Sequence, residues 1–216
     1  MKQFLIRLIN VMIGLFLYAL GIALTVQAHI GYAPWDVFHI GLADKFGSTI
    51  GIVSIFVGMI IVIIVTFAGE KIGLGTVLNV IVIGIFLDII LESGIIPIAL
   101  NLPLGVIMIV AGLFIIAIGS YFYMKSAFET GPRDNLMVVL TKKTGMPIGI
   151  CRSIVDITVT VVGWLLGGMV GAGTIIAAVA GGLCIQIVFK MLKFDVTAIK
   201  HETLFYTFAS LIKKNK

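Results

Sequence analysis

Six apolar stretches, at roughly 8 to 28, 50 to 68, 74 to 91, 103 to 124, 148 to 167 and 172 to 189, constrain this chain more than any other feature. A helix rises 1.5 Å per residue, so about 20 apolar residues cross a hydrocarbon core of about 30 Å. With 60% hydrophobic and 12% charged residues and a mean hydropathy of +1.22, too little polar surface exists to wrap the chain in water. The sequence predicts an all-α polytopic membrane protein with six transmembrane helices.

The chain also repeats itself. A shift of 98 residues places Ala33-Pro34-Trp35-Asp36 on Gly131-Pro132-Arg133-Asp134, and Gly73-Leu74-Gly75-Thr76 on Gly171-Ala172-Gly173-Thr174, without a gap. The same shift aligns Gly14 with Gly112, Gly21 with Gly119, Lys45 with Lys143 and Gly47 with Gly145. The expected organisation is a first membrane repeat over 1–98, a second over 99–193 and a cytoplasmic amphipathic tail over 194–216. Three crossings per repeat is an odd number, so the second repeat starts on the opposite side of the bilayer, which predicts inverted halves like those of many secondary transporters.

Lys and Arg are retained on the cytoplasmic side. With both termini cytoplasmic, every Lys and Arg except Lys45 lies inside. The net charge of +5 then belongs to a lipid-facing rim, and no nucleic-acid partner is implied. Lys2 and Arg7 followed by an apolar run allow a cleaved signal peptide to be considered, but the internal counterpart at 103 to 124 argues for a retained helix.

Each Pro motif opens a segment too short to span, Pro34 to Phe46 and Pro132 to Thr144, closed by Gly47 and Gly145. Proline suits the first helical position, an acidic residue the positive end of the helix dipole, and glycine the stop. Both segments are expected to be half-helices, either re-entrant or lying at the interface. Leu136 to Leu140, apolar all round, favours re-entry. Glycines at 105, 112 and 119, and at 14 and 21, recur every seven residues and mark a close-packing face, with a cavity wall beside Tyr18 as the other option.

Ionisable groups at membrane depth are functional suspects. Asp36 and Asp134 lead because they are duplicated. Capping their own helices is the minimum role, and two opposed half-helix N-termini would add a shared midplane pocket. In it Trp35 forms an aromatic wall and Arg133 a positive charge, favouring an anionic or zwitterionic solute. Arg152 and Asp156 share one helix face as an ion pair, a cavity lining, or both. Asp88, whose repeat mate is Gln186, either snorkels to the interface or belongs to a buried polar face. Gly75, Thr76, Gly173 and Thr174 form tight turns, with the option of a ligand site at a helix N-terminus. Cys151 and Cys184 read as small buried hydrophobes. The three histidines lack metal spacing, and no nucleophile triad or phosphate loop occurs, so neither an enzyme, a metal nor a cofactor is expected.

Together Gly-x-x-Pro34-Trp35-Asp36, Gly73-x-Gly75-Thr76, Asp88, Gly131-Pro132-Arg133-Asp134, Arg152 and Gly171-x-Gly173-Thr174 form a pattern that resembles the YczE branch of the YczE and YitT group of bacterial integral membrane proteins. It covers about residues 5 to 190, with Ala33 standing where the pattern has Gly. The resemblance implies the bacterial cytoplasmic membrane and supplies no substrate. The function expected is secondary transport of a small solute around Pro34, Trp35, Asp36, Gly75, Thr76, Pro132, Arg133, Asp134, Arg152, Asp156, Gly173 and Thr174. A channel, or a regulatory or scaffold membrane protein, stands as the alternative. The partners expected are the bilayer and the solute, with a homodimer left open.

Overall fold

A computed structural model of the chain describes residues 2–70, 72–128 and 131–194, and all regular structure among them is helical. The helices are α1 (Lys2–Gln27), α2 (Pro34–Phe46), α3 (Ile50–Phe67), α4 (Leu74–Glu92), α5 (Leu102–Lys125), α6 (Pro132–Thr144), α7 (Ile148–Leu165) and α8 (Ala172–Met191). All but α2 and α6 are long and apolar enough to cross a membrane, in line with the six expected spans. The amphipathic helix expected in the tail from Thr197 lies outside the described residues.

The two short helices have the bounds their sequence signals set. Each is 13 residues long, with Pro in its first turn and a left-handed glycine after its end, Gly47 at φ 60° and Gly145 at φ 73°. Their reach of about 20 Å falls short of a bilayer core.

α1 and α5 cross antiparallel at the centre, where Val11, Leu15, Ala19, Ala23 and Ala117 are fully buried. The seven-residue glycine spacing is their seam. A Cβ on Gly21 would lie 2.6 Å from the Gly112 carbonyl oxygen, and one on Gly119 would lie 2.7 Å from that of Gly14. Only hydrogen fits there. Lipid is as apolar as the helix faces, so packing contact between closely approaching backbones holds such helices together.

α4 packs on α1, and α8 on α5. The Gly-x-Gly-Thr turns join these pairs crosswise: Gly75 N–H donates to the Phe128 carbonyl at 2.8 Å, and Gly173 N–H donates to the Ile30 carbonyl at 2.8 Å. Donor and acceptor of one bond both lie 98 residues from those of the other. His29 and Ala127, also 98 apart, share a left-handed backbone at φ 52° and 59° that non-glycine residues seldom adopt. The two chain exits from α1 and α5 therefore take the same path.

α1, α4, α5 and α8 form one layer. Against it lies a second, in which α2 packs along α7 and α6 along α3. Gly41 and Gly163 let α2 and α7 meet closely, since a Cβ on Gly41 would lie 2.5 Å from the Gly163 carbonyl oxygen. At the equivalent positions between α6 and α3 stand the buried Val139 and Val65. The layers are joined unequally: α3 docks firmly on α4, whereas α7 makes at most marginal contact with α8.

Candidate functional site

A cavity of about 300 Å³ lies between the two layers. The N-terminal turns of α2 and α6 both open into it, bringing Trp35 and Asp36 to face Pro132, Arg133 and Asp134 across the space. Arg152 and Asp156 of α7 complete the charged lining, while α4 adds Asn79 and the apolar Val80, Ile83 and Leu87. Every charged group in the wall comes from the α2/α3/α6/α7 layer. The opposite wall is neutral, with Tyr18 of α1, Asn79 of α4 and Ser120 and Tyr123 of α5 as its polar members.

Asp36 and Asp134 do not cap their helices. Neither half-helix has a side-chain cap, and among the described residues neither carboxylate accepts a hydrogen bond. Each stands at the third helical position, where it lines the cavity near the positive end of its helix dipole. Asp36 is 5% exposed. Burial pushes its carboxyl up to about 6, with Arg133 pulling the other way. Asp134 is open to the cavity.

Trp35 links the charges. The Arg133 guanidinium lies over its ring, 4.6 Å from the centroid. Its indole Nε1 donates to Asp156 Oδ1 at 3.1 Å, and Arg152 Nε lies 3.6 Å from Asp156 Oδ2. Arg152 and Asp156 are thus both an ion pair one turn apart and part of the cavity wall. Arg133 forms no ion pair among the described residues, so its planar donors stay available for an anion.

His39, one turn after Asp36 on α2, also lines the cavity. It is 2% exposed, and its Nε2 has no hydrogen-bond partner among the described residues. Burial, and then Arg133, hold its imidazole well below the ordinary range, so the ring is neutral. Sequence reasoning set His39 aside for want of metal spacing. The overlooked signal was its i, i+3 position on the face of Asp36.

Pro34, Gly75, Thr76, Gly173 and Thr174 are absent from the cavity wall. Pro34 starts α2 from behind, and the two Gly-x-Gly-Thr turns carry the crosswise backbone bonds with Thr76 and Thr174 buried. Asp88 does not snorkel. Its carboxylate accepts from Thr49 Oγ1 at 2.5 Å and from Gly51 N–H at 2.7 Å, at the start of α3. Cys151 and Cys184 are buried free thiols.

Comparison with known proteins places this geometry in a family. A model described as a family of unknown function, DUF6198, matches residues 5–190. The uncharacterised membrane protein YczE of Bacillus subtilis (strain 168) is 35% identical over 177 residues, covering 80% of each chain. An uncharacterised protein of Haemophilus influenzae (strain ATCC 51907 / DSM 11121 / KW20 / Rd) is 33% identical over 179 residues and 81% of each chain. The uncharacterised protein YyaS of Bacillus subtilis (strain 168) is 29% identical over 178 residues, covering 81% of this chain and 88% of the relative. No solved structure matches the chain. The chain belongs to the DUF6198 family, the YczE family that its motifs resemble.

Proposed function

We propose that this protein is a secondary transporter of a small zwitterionic solute in the bacterial cytoplasmic membrane, with both termini cytoplasmic and the cavity at the midplane between inverted halves. One observation carries the reading. Among the described residues, the same cavity presents two carboxylates that accept no hydrogen bond, Asp36 and Asp134, and one guanidinium without an ion pair, Arg133. A cationic amine suits the first pair and an anionic group suits the second. Half-helix N-termini meeting at the centre of duplicated halves are a recurrent transporter device, and charges within spanning proteins mark solute pathways. The reciprocal Gly75 and Gly173 bonds support the inverted relation of the halves.

A thermal-shift panel on purified protein tests the solute class. A ligand at a hundred times its dissociation constant adds about 2.7 kcal/mol to stability. Small amino acids and betaines are expected to raise the melting temperature, while monoamines and monocarboxylates of equal size leave it unchanged. Equal stabilisation by the monofunctional compounds would count against a zwitterion site.

A further inference from the structure

α3 and α4 approach each other at least as closely as α1 and α5 do. A Cβ on Gly51 would collide with the Gly84 carbonyl oxygen and lie 2.5 Å from Asp88 Cγ, and one on Gly84 would lie 2.5 Å from Ile55 Cγ1. Asp88 latches the contact through its bonds from Thr49 and Gly51. Both glycines are buried.

The shift of 98 residues carries Gly51 to Gly149 on α7 and Gly84 to Gly182 on α8. These glycines do nothing comparable. A Cβ on either would meet no atom within 4 Å, and both are exposed. At Gly182, inside α8, glycine costs about 1 kcal/mol relative to alanine, which an empty position does not require. The second half thus carries the small residues of a close seam that it does not make.

The other pairs sharpen the contrast. Ser54 and Gly58 of the closed seam correspond to Arg152 and Asp156 of the open groove, and Thr49 and Asp88 to Pro147 and Gln186. Gln186 can still accept from the Gly149 amide, but a neutral amide without the Thr49 hydroxyl makes a weaker latch than a carboxylate with two donors. Closing α7 on α8 would also bury the Arg152–Asp156 pair, which is costly unless its charges are further satisfied.

We propose that the α3–α4 seam and the α7–α8 groove are the two gates of the cavity, closed in alternation, with Gly149 and Gly182 kept small for the contact made when the first seam opens. This rests on the transporter reading and extends it. The Gly51–Gly84 seam lies toward the face where α1 ends, since Ala99, between α4 and α5, bonds back to Gln27 at the end of α1. With the amino terminus cytoplasmic, the structure is the inward-open state.

Disulfide trapping in liposomes tests the gates with no substrate needed. Thr49→Cys with Asp88→Cys, whose native side chains touch across the seam, reports its closed state without filling a glycine position. Pro147→Cys with Gln186→Cys, the equivalent pair, is held apart in this structure, where α7 makes at most marginal contact with α8 and no atom lies within 4 Å of a Gly149 or Gly182 Cβ, whereas a disulfide needs Cβ atoms about 3.8 Å apart. Mild oxidation is read by loss of maleimide-polymer labelling in the monomer band, and peptide mass spectrometry identifies the bond, so Cys151 and Cys184 can stay. The expected result is that each pair oxidises within one chain, that a chain carrying all four cysteines never holds both bonds, and that Asp88→Asn speeds the 147–186 bond, in the chain carrying that pair alone, about fivefold by weakening the latch. The proposal is overturned if the 49–88 bond forms but 147–186 never does, if 147–186 links only different chains, or if both bonds coexist in one chain. Solute stabilisation without 147–186 closure would sink the gates and keep the transporter reading. Closure without any zwitterion response would do the reverse.

Discussion

The same substitution, Gly to Ala, is expected to have opposite effects at two helix positions. At Gly21 the new Cβ would sit 2.6 Å from the Gly112 carbonyl oxygen and 2.9 Å from the Ile116 amide, up to 0.8 Å inside the 3.4 Å at which ordinary contact begins. Both neighbours are backbone, so no side chain can rotate away and α1 must separate from α5 along the centre of the molecule. Overpacking of this kind costs about 1–3 kcal/mol. At Gly182 the Cβ meets nothing, and the helix gains up to about 1 kcal/mol in propensity. The two variants therefore differ by roughly 2–4 kcal/mol. At roughly 2–4 °C per kcal/mol for a chain of this size, this is a gap of roughly 5–15 °C in melting temperature. Thermal unfolding of both purified variants in one detergent measures it. Gly21→Ala melting at or above the native protein, or both variants moving together, would refute the packing argument. Gly182→Ala should also slow transport despite its stability, because its methyl obstructs closure of the second gate.

Asp36→Asn should stabilise the fold at high pH only. The folded carboxyl is raised to about 6 from an unfolded value of about 3.9, so protonation favours the fold fully below pH 4 and this is lost as pH rises through 6. Above that, the ionised native Asp36 costs up to about 3 kcal/mol that Asn avoids, so melting at pH 8 should rise while melting at pH 4 stays unchanged. Arg133→Lys should weaken zwitterion binding about tenfold, because an ammonium cannot reproduce the planar fork stacked on Trp35, and titration calorimetry reads the loss. Thr76→Val should leave solute affinity within about twofold yet lower stability by about 1 kcal/mol, since the hydroxyl is buried away from the cavity. A large affinity loss there would return the Gly-x-Gly-Thr turns to the binding site.

Features fixed by local signals were legible in the sequence. Pro34 and Pro132, with Gly47 and Gly145 closing each segment, set the bounds of the half-helices because start and stop chemistry acts within a few residues. The seven-residue glycine spacing disclosed the α1–α5 seam because helical periodicity is local too. The partner of each surface was another matter. Gly75 and Gly173 read as tight turns with the option of a ligand site, and nothing nearby in the sequence announces that their amides bond across to Phe128 and Ile30. For Asp88 the sequence leaves snorkelling and a buried polar face both open, because nothing in its own helix announces Thr49 and Gly51 as donors. The duplication predicts equal halves, yet α3 docks on α4 while α7 stands off α8. One conformation need not keep the symmetry of the sequence, and that departure is where the proposed mechanism lies.

Counterflow in proteoliposomes tests the central claim most directly. Vesicles preloaded with an unlabelled zwitterion that stabilises the protein are diluted into a trace of the same compound in labelled form. Alternating access around one midplane site predicts transient, saturable accumulation of label above its equilibrium level, lost in Arg133→Gln and in Asp134→Asn. Label that enters in linear, unsaturable fashion, or accumulation untouched by both substitutions, would contradict it.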